Sequence, residues 1–203
     1  MASVYDLKPK FQNFLRPLVF LLHKSNITPN QITVFALLGS CVVGFIGFFT
    51  NCNPIWLILL PSWLFIRMAM NAIDGMLARE YNLKSVEGAM LNELGDVLSD
   101  IMLYLPFCSV GKGVFWPVIC FVMGSILTEF CGLLGQALGG KRRYEGPMGK
   151  SDRAFAVGSI SLISFFLPNV IIYWQWLFVI AFLLTLLTCA NRLAFAVKEL
   201  KNE

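Results

Sequence analysis

Six stretches of this chain are apolar almost without interruption, and polar residues gather in the short segments between them. The runs cover positions 29–49, 54–78, 86–107, 115–138, 153–167 and 171–196. About 20 helical residues cross the roughly 30 Å of hydrocarbon in a bilayer, and all but the fifth run reach that length. Ahead of them, Phe11, Phe14, Leu15, Leu18, Val19 and Leu22 recur at helical spacing, while Lys8, Lys10, Gln12, Arg16 and His23 fall largely elsewhere on the wheel. This pattern predicts a helix over 5–24 lying in the headgroup plane, with Pro17 as a point of bending or breakage and His23 as an interfacial contact. The expected fold class is an all-α integral membrane protein: six transmembrane helices preceded by an N-terminal amphipathic interfacial helix. No repeat, low-complexity segment or linker divides the chain, so 1–203 reads as one domain with its six-helix bundle over 29–196.

Composition supports a bilayer as the solvent. With 57% hydrophobic and 14% charged residues among 203, a soluble domain of this size lacks the interior to hide so much apolar surface. Charge then sets the orientation, because short loops rich in Lys and Arg stay cytoplasmic. Lys8, Lys10, Arg16 and Lys24 precede the first run, Arg79 and Lys84 follow the second, and Lys141, Arg142, Arg143, Lys150 and Arg153 follow the fourth. Arg192, Lys198 and Lys201 close the sixth, whereas the opposite loops hold only Lys112. Both termini are expected in the cytoplasm, in a bacterial inner membrane. The net charge of +4 reads as this topology signal, with membrane lipids rather than nucleic acid as partner. The first apolar run starts too late to be a cleaved signal peptide.

The six cysteines form no CxxC pair, which suggests neither a zinc site nor a disulfide framework. Cys52 and Cys108 alone face the opposite side, and two free thiols are expected there in preference to a bridge. Trp56, Tyr173, Trp174 and Trp176 sit at span ends and read as interface anchors. Gly132, Gly135 and Gly139 read as a place of close helix approach.

The polar residues inside the second and third runs need another explanation. Asn71, Asp74, Gly75, Ala78 and Arg79 follow one another at i, i+3, i+4, i+7 and i+8, along one side of one helix. Gly88, Asn92 and Asp96 repeat every four residues on the next. A short turn joins the two helices, so both stripes lie near the cytoplasmic surface and face each other across a small cavity. Ionisable groups within a span mark a functional site by default. Carboxylates and amide carbonyls suit hard divalent cations, Arg79 offers a planar fork for phosphate, and Gly75 and Gly88 leave room for a ligand. The combination points to phosphoryl chemistry at the membrane surface.

These residues resemble a known signature. In the CDP-alcohol phosphatidyltransferases the pattern is D-x-x-D-G-x-x-A-R-x8-G-x-x-x-D-x-x-x-D, and Asp74, Gly75, Ala78, Arg79, Gly88 and Asp96 match it at the correct spacing. ITPNQIT, before the first run, is similar to the family's TPN-x-x-T entry motif and brings in Asn30. The resemblance implies transfer of a phosphatidyl group from CDP-diacylglycerol to an alcohol acceptor with release of CMP, in a homodimer. It implies Asp96 as the base, a Mg2+ or Mn2+ site of one or two ions on Asn71, Asp74, Asn92 and Asp96, and CDP-lipid contacts from Asn30, Gly75, Ala78, Arg79 and Gly88. Asn71 and Asn92 depart from the pattern, standing where it has Asp. The site keeps its oxygens but loses two negative charges, so weaker metal binding or a single ion is expected.

Two further charges lie deeper. Asp100 is one turn beyond Asp96 and Arg67 one turn beyond Asn71, about 6 Å inward in each case. A structural ion pair between them explains both and is preferred to metal binding by Asp100. Glu129 either faces the cytoplasmic cavity or hydrogen-bonds to a neighbouring helix. In GGKRRYEGPMGKSDR, glycines before a helix start capped by Ser151 or Asp152 sit beside Lys150 and Arg153. Lys150, Arg153 and Arg143 are assigned to an anionic acceptor such as glycerol 3-phosphate or an inositol phosphate, with the lipid diphosphate as the alternative partner of the same cations. Two other readings remain: a six-span cation transporter, and a CDP-lipid-binding relative without turnover. Transport sites tend to lie at the midplane between repeats, which disfavours the first, and retention of Asp96 and Arg79 disfavours the second.

Overall fold

The computed structural model describes residues 4–201, with side chains described from Phe11 onward; the expectations for Lys8 and Lys10 lie outside the described side chains. The described residues form helices α1 (Val4–Lys24), α2 (Pro29–Phe49), α3 (Pro54–Glu80), α4 (Val86–Tyr104), α5 (Lys112–Ala137), α6 (Lys150–Phe166) and α7 (Trp174–Lys201). Short 3-10 segments, Leu105–Ser109 and Pro168–Tyr173, follow α4 and α6.

Local chemistry explains where these helices begin. At α2, Thr28 accepts from the Gln31 backbone N–H at 3.3 Å, the Gln31 side chain accepts from the Thr28 N–H at 2.9 Å, and Pro29 occupies the first turn. Asn53 caps α3 through the Trp56 N–H at 2.9 Å, again before a proline. Ser85 caps α4 through the Gly88 N–H at 3.0 Å. Helix α1 runs unbroken through Pro17, so that residue is not a break. It packs Leu15 and Val19 against Ile73, Met76 and Leu77 of α3, and His23 stacks on Tyr81 with centroids 3.7 Å apart.

Helix α2 packs on α3 and α4, α3 on α6, and α5 lies along α7. By length and composition, α2, α3, α5 and the segment Pro168–Lys201 can each cross a membrane. Helices α4 and α6 fall short for a physical reason: α4 carries Glu87, Glu93, Asp96 and Asp100 within 19 residues, and α6 has only 17. Both are helices of the polar site.

An aromatic core fills the opposite end of the bundle. Phe107 meets Trp174, Trp56 and Phe178 at centroid distances of 4.9, 5.0 and 5.1 Å. This corrects the assignment of Trp56 and Trp174 as interface anchors, since both are fully buried. Each indole N–H finds an internal acceptor, Trp56 on the Val43 carbonyl and Trp174 on the Ser164 hydroxyl, both at 2.8 Å, so burial leaves no donor unsatisfied. Tyr173 and Trp176 are exposed. All six cysteines are free thiols.

Candidate active site

The α3–α4 turn carries the polar stripes to the same end of the bundle, where they line two adjoining cavities rather than one. The larger, about 760 Å³, is bordered by Asn30, Asp74, Gly75, Ala78, Arg79 and Gly88. The smaller, about 370 Å³, is bordered by Asn71, Asp96, Glu129, Arg142 and Lys150. Asn92 lines both and stands at their junction. The structure thus brings the motif together, with Asp74 bordering the larger cavity, Asp96 the smaller, and Asn92 common to both. At Gly88 a Cβ would lie 2.6 Å from the Asn30 side-chain oxygen and 2.9 Å from the Ser85 hydroxyl, so any larger residue would displace the Asn30 side chain from its place in the cavity.

Asp74 is buried at 3% exposure. Its Oδ2 accepts from the Thr33 hydroxyl at 2.9 Å, while its Oδ1 is buried without a partner. The Thr33 hydroxyl also lies 3.1 Å from the Pro29 carbonyl; it has one proton, and the carboxylate is the stronger acceptor. Thr33 belongs to the entry motif, yet its spacing alone gave it no role. Thr33→Val, which deletes a bond to a charged group worth about 1.5–3 kcal/mol, is expected to lower unfolding stability in detergent measurably. Thr33→Ser is expected to retain it.

Asp96 is surrounded by cations and donors. Its Oδ2 forms an ion pair with the Lys150 ammonium, and its Oδ1 accepts from the Asn71 amide nitrogen at 3.1 Å and from Arg67 Nη2 at 3.2 Å. An amide that donates through nitrogen has its carbonyl oxygen left over as an acceptor, so Asn71 retains an oxygen.

Beneath the cavities lies a buried charge network. Arg67 Nη1 meets Asp100 Oδ1 at 2.6 Å. The other Asp100 oxygen takes both Arg153 Nε and Nη2, at 3.1 and 3.0 Å. Arg153 Nη2 also reaches Glu129 Oε1 at 2.9 Å, and its Nη1 reaches the Thr128 hydroxyl at 2.7 Å. Arg153, at 1% exposure, therefore lines neither chamber, and its assignment to the acceptor is corrected: two carboxylates inside the bundle draw it inward. Glu129 does both things considered for it, bordering the smaller chamber and pairing with Arg153 and Arg142.

Arg143 is likewise turned away from the chambers. It pairs with Glu199 of α7 and with Glu145, and the Glu199 carboxylate also accepts from the Lys141 N–H at 3.0 Å. Burial opposes charge on Glu145, but its own N–H, that of Tyr144 and the Arg143 guanidinium together hold its carboxyl below the usual range. The loop cation that does enter the smaller chamber is Arg142, paired with Glu93 and, at 3.2 Å, with Glu129. Gly146, at φ +124°, would drive a Cβ to 2.6 Å from the Thr188 methyl carbon, and this close turn docks the loop on α7. Helix α6 starts with Gly149 as N-cap rather than Ser151 or Asp152; Asp152 instead accepts from the Gly149 N–H at 3.0 Å. Gly132 and Gly135 admit the loop backbone as well as α7, and Gly139 lies beyond the end of α5.

Among the described residues no three or more His, Cys, Asp or Glu side chains form a metal-binding group. The motif positions contribute two carboxylates, Asp74 and Asp96, and two amides, Asn71 and Asn92; Glu93, Glu129 and Asp152 also border the smaller chamber but are engaged by Arg142, Arg153 and the Gly149 N–H. A divalent cation fits the Asp74 side, where a buried carboxylate oxygen has no hydrogen-bond partner and Asn30, Thr33 and Asn92, all with side-chain oxygens, border the same cavity.

Fold and site together define an all-helical protein of membrane-spanning helices whose polar chambers suit phosphate and a hard cation. The sequence profile of the CDP-alcohol phosphatidyltransferase family matches residues 26–187, and the chain belongs to that family. It is 48% identical over 193 residues to inner membrane protein YnbA of Escherichia coli strain K12, covering 94% of each chain. An uncharacterized protein of Aquifex aeolicus strain VF5 is 40% identical over 105 residues, covering 52% of this chain and 50% of its own. Among solved structures, Mycobacterium tuberculosis phosphatidylinositol phosphate synthase (PgsA1) with CDP-DAG bound superposes with a TM-score of 0.75 at 17% identity, over 89% of this chain and 92% of that one. The same enzyme in complex with manganese and citrate gives 0.76 at 17% identity, over 89% and 87%. At that identity the likeness is one of fold.

Proposed function

We propose that the chain transfers a phosphatidyl group from CDP-diacylglycerol to an alcohol acceptor and releases CMP, in phospholipid synthesis at a bacterial inner membrane. The observation that carries this reading is the meeting of Asp74, Arg79, Gly88, Asn92 and Asp96 around two joined chambers at one end of α3 and α4. In it the nucleotide and diphosphate occupy the larger chamber, against Asn30, Gly75, Ala78 and Arg79. Asp74 holds a Mg2+ or Mn2+ ion, with amide carbonyls of Asn71 and Asn92 as further donors. When bound, the ion supplies positive charge to the diphosphate. The acceptor enters from the smaller chamber, and an anionic alcohol such as glycerol 3-phosphate would bind there by drawing Arg142 away from Glu93 and Glu129. Its hydroxyl oxygen bonds to the lipid-side phosphorus, its proton passes to Asp96, and the bond to the CMP oxygen breaks.

The same proposal holds the chain to be one domain, a homodimer in the membrane, with α4 and α6 completing six spans, α1 in the headgroup plane and both termini cytoplasmic. Helices α4 and α6 bury their polar faces in the network beneath the site, which supports spanning despite their charge. Cysteine-accessibility labelling at both ends of each helix tests the topology.

Purified protein with radiolabelled CDP-diacylglycerol, magnesium or manganese and a panel of alcohols is expected to release CMP with at least one acceptor. No release with any alcohol removes the reading. Gly88→Ala, which pushes a Cβ onto Asn30, is expected to raise the KM for CDP-diacylglycerol by about tenfold, the equivalent of 1.4 kcal/mol. An unchanged KM would detach the α2–α4 contact from nucleotide binding.

A further inference from the structure

The two motif carboxylates are furnished in opposite ways. Asp96 has both oxygens engaged, one by the Lys150 ammonium and the other by Asn71 and Arg67. Asp74 has one oxygen on Thr33 and the other buried without a partner. We infer that this site takes a single divalent cation, at Asp74, and that Lys150 is the fixed cation serving Asp96 in place of a second ion. The inference deepens the proposed function and rests on it for the purpose of the site.

Charge and geometry both lead there. With Asn at 71 and 92, the paired stripes contribute two carboxylates, and Asp96 is already ion-paired with Lys150 and Arg67. A second dication on Asp96 would have to displace an ammonium, or sit beside it against like-charge repulsion that grows as the surroundings become less polar. Lys150 is not a free surface amine. It occupies the first turn of α6, whose start is fixed by the Asp152–Gly149 bond, and Arg153 in the same turn is anchored on Asp100 and Glu129. The helix therefore presents the ammonium to Asp96 from a rigid base. The amide of Asn71 complements it, since an amide nitrogen donates to Asp96 where a carboxylate would repel it.

The test is Mn2+ titration of the purified full chain in detergent without substrate, read by electron paramagnetic resonance, which counts bound ions and detects spin coupling between two of them. Wild type is expected to bind one Mn2+ with an uncoupled spectrum, and Asp74→Asn to lose it. Asp96→Asn is expected to keep its ion with affinity changed by less than about tenfold. Restoring carboxylates in Asn71→Asp with Asn92→Asp is expected to leave one ion while Lys150 is present; adding Lys150→Gln brings a second, coupled ion. No ion or two in wild type, an ion that survives Asp74→Asn, or one lost with Asp96→Asn overturns the inference. So does a second ion in the double variant, or its absence in a folded triple variant. If the triple variant fails to fold, wild type and the two Asp variants decide. CMP release on the same samples keeps the readings apart: one bound ion without turnover removes the activity and leaves the ion count standing, and turnover with two ions does the reverse.

Discussion

Asp96→Asn is expected to lower the rate of CMP release by about 10²–10⁴-fold, the range that a positioned general base contributes. The substitution keeps the side-chain shape but removes the group that accepts the acceptor's proton. It also leaves the surroundings largely intact, because Arg67 keeps its 2.6 Å bond to Asp100 and Lys150 borders an open chamber where water can solvate it. The fall should therefore appear in kcat with unfolding temperature and circular dichroism close to wild type. Asp96→Glu is the informative companion: it restores a carboxylate in a displaced position, so partial recovery would identify the charge, and none would identify its placement. A rate for Asp96→Asn within about tenfold of wild type would mean that the proton leaves by another route.

The helices were legible where the apolar runs began, at positions 29, 54 and 86. The structure begins α2, α3 and α4 at those positions, with Thr28, Asn53 and Ser85 as the N-caps that the apolar pattern alone did not single out. The polar stripes were equally legible, because 3.6-residue periodicity fixes which side chains share a helix face. Periodicity does not fix how two faces meet, and it did not show that Asp74 would be held by Thr33 of α2 while Asp96 is held by Asn71, Arg67 and Lys150. Trp56 and Trp174 were misread because an aromatic near the end of a span carries the same signal whether it faces headgroups or core; the acceptors on Val43 and Ser164 that decide the matter come from other helices. The basic loop was the hardest to read. Its cations look alike in sequence, yet Arg153 is drawn inward by Asp100 and Glu129, Arg143 is held by Glu199, and only Lys150 and Arg142 reach the smaller chamber. What sorts them is a set of carboxylates distant in sequence, on α4, α5 and α7.

Arg153→Leu is expected to destabilise the protein by about 3–5 kcal/mol, the cost of removing one member of a buried ion pair. The guanidinium is 1% exposed and ties together α4 through Asp100, α5 through Thr128 and Glu129, and the loop through the Met148 carbonyl at 3.2 Å. Its loss leaves Asp100 with Arg67 alone and Glu129 with Arg142 at 3.2 Å and Arg192 at 3.8 Å. Desolvated carboxylate charge, rather than lost attraction, makes up most of the penalty. Combining Arg153→Leu with Glu129→Gln should therefore recover part of the stability, although each change alone destabilises; thermal unfolding in detergent of both single variants and the double variant measures this coupling. Activity should fall with Arg153→Leu even though the residue touches neither chamber, because the first turn of α6 that carries Lys150 to Asp96 loses its anchor. Full stability in the single variant would mean that water or a rearranged Arg192 neutralises the network, and that α6 is held by its apolar packing on α3.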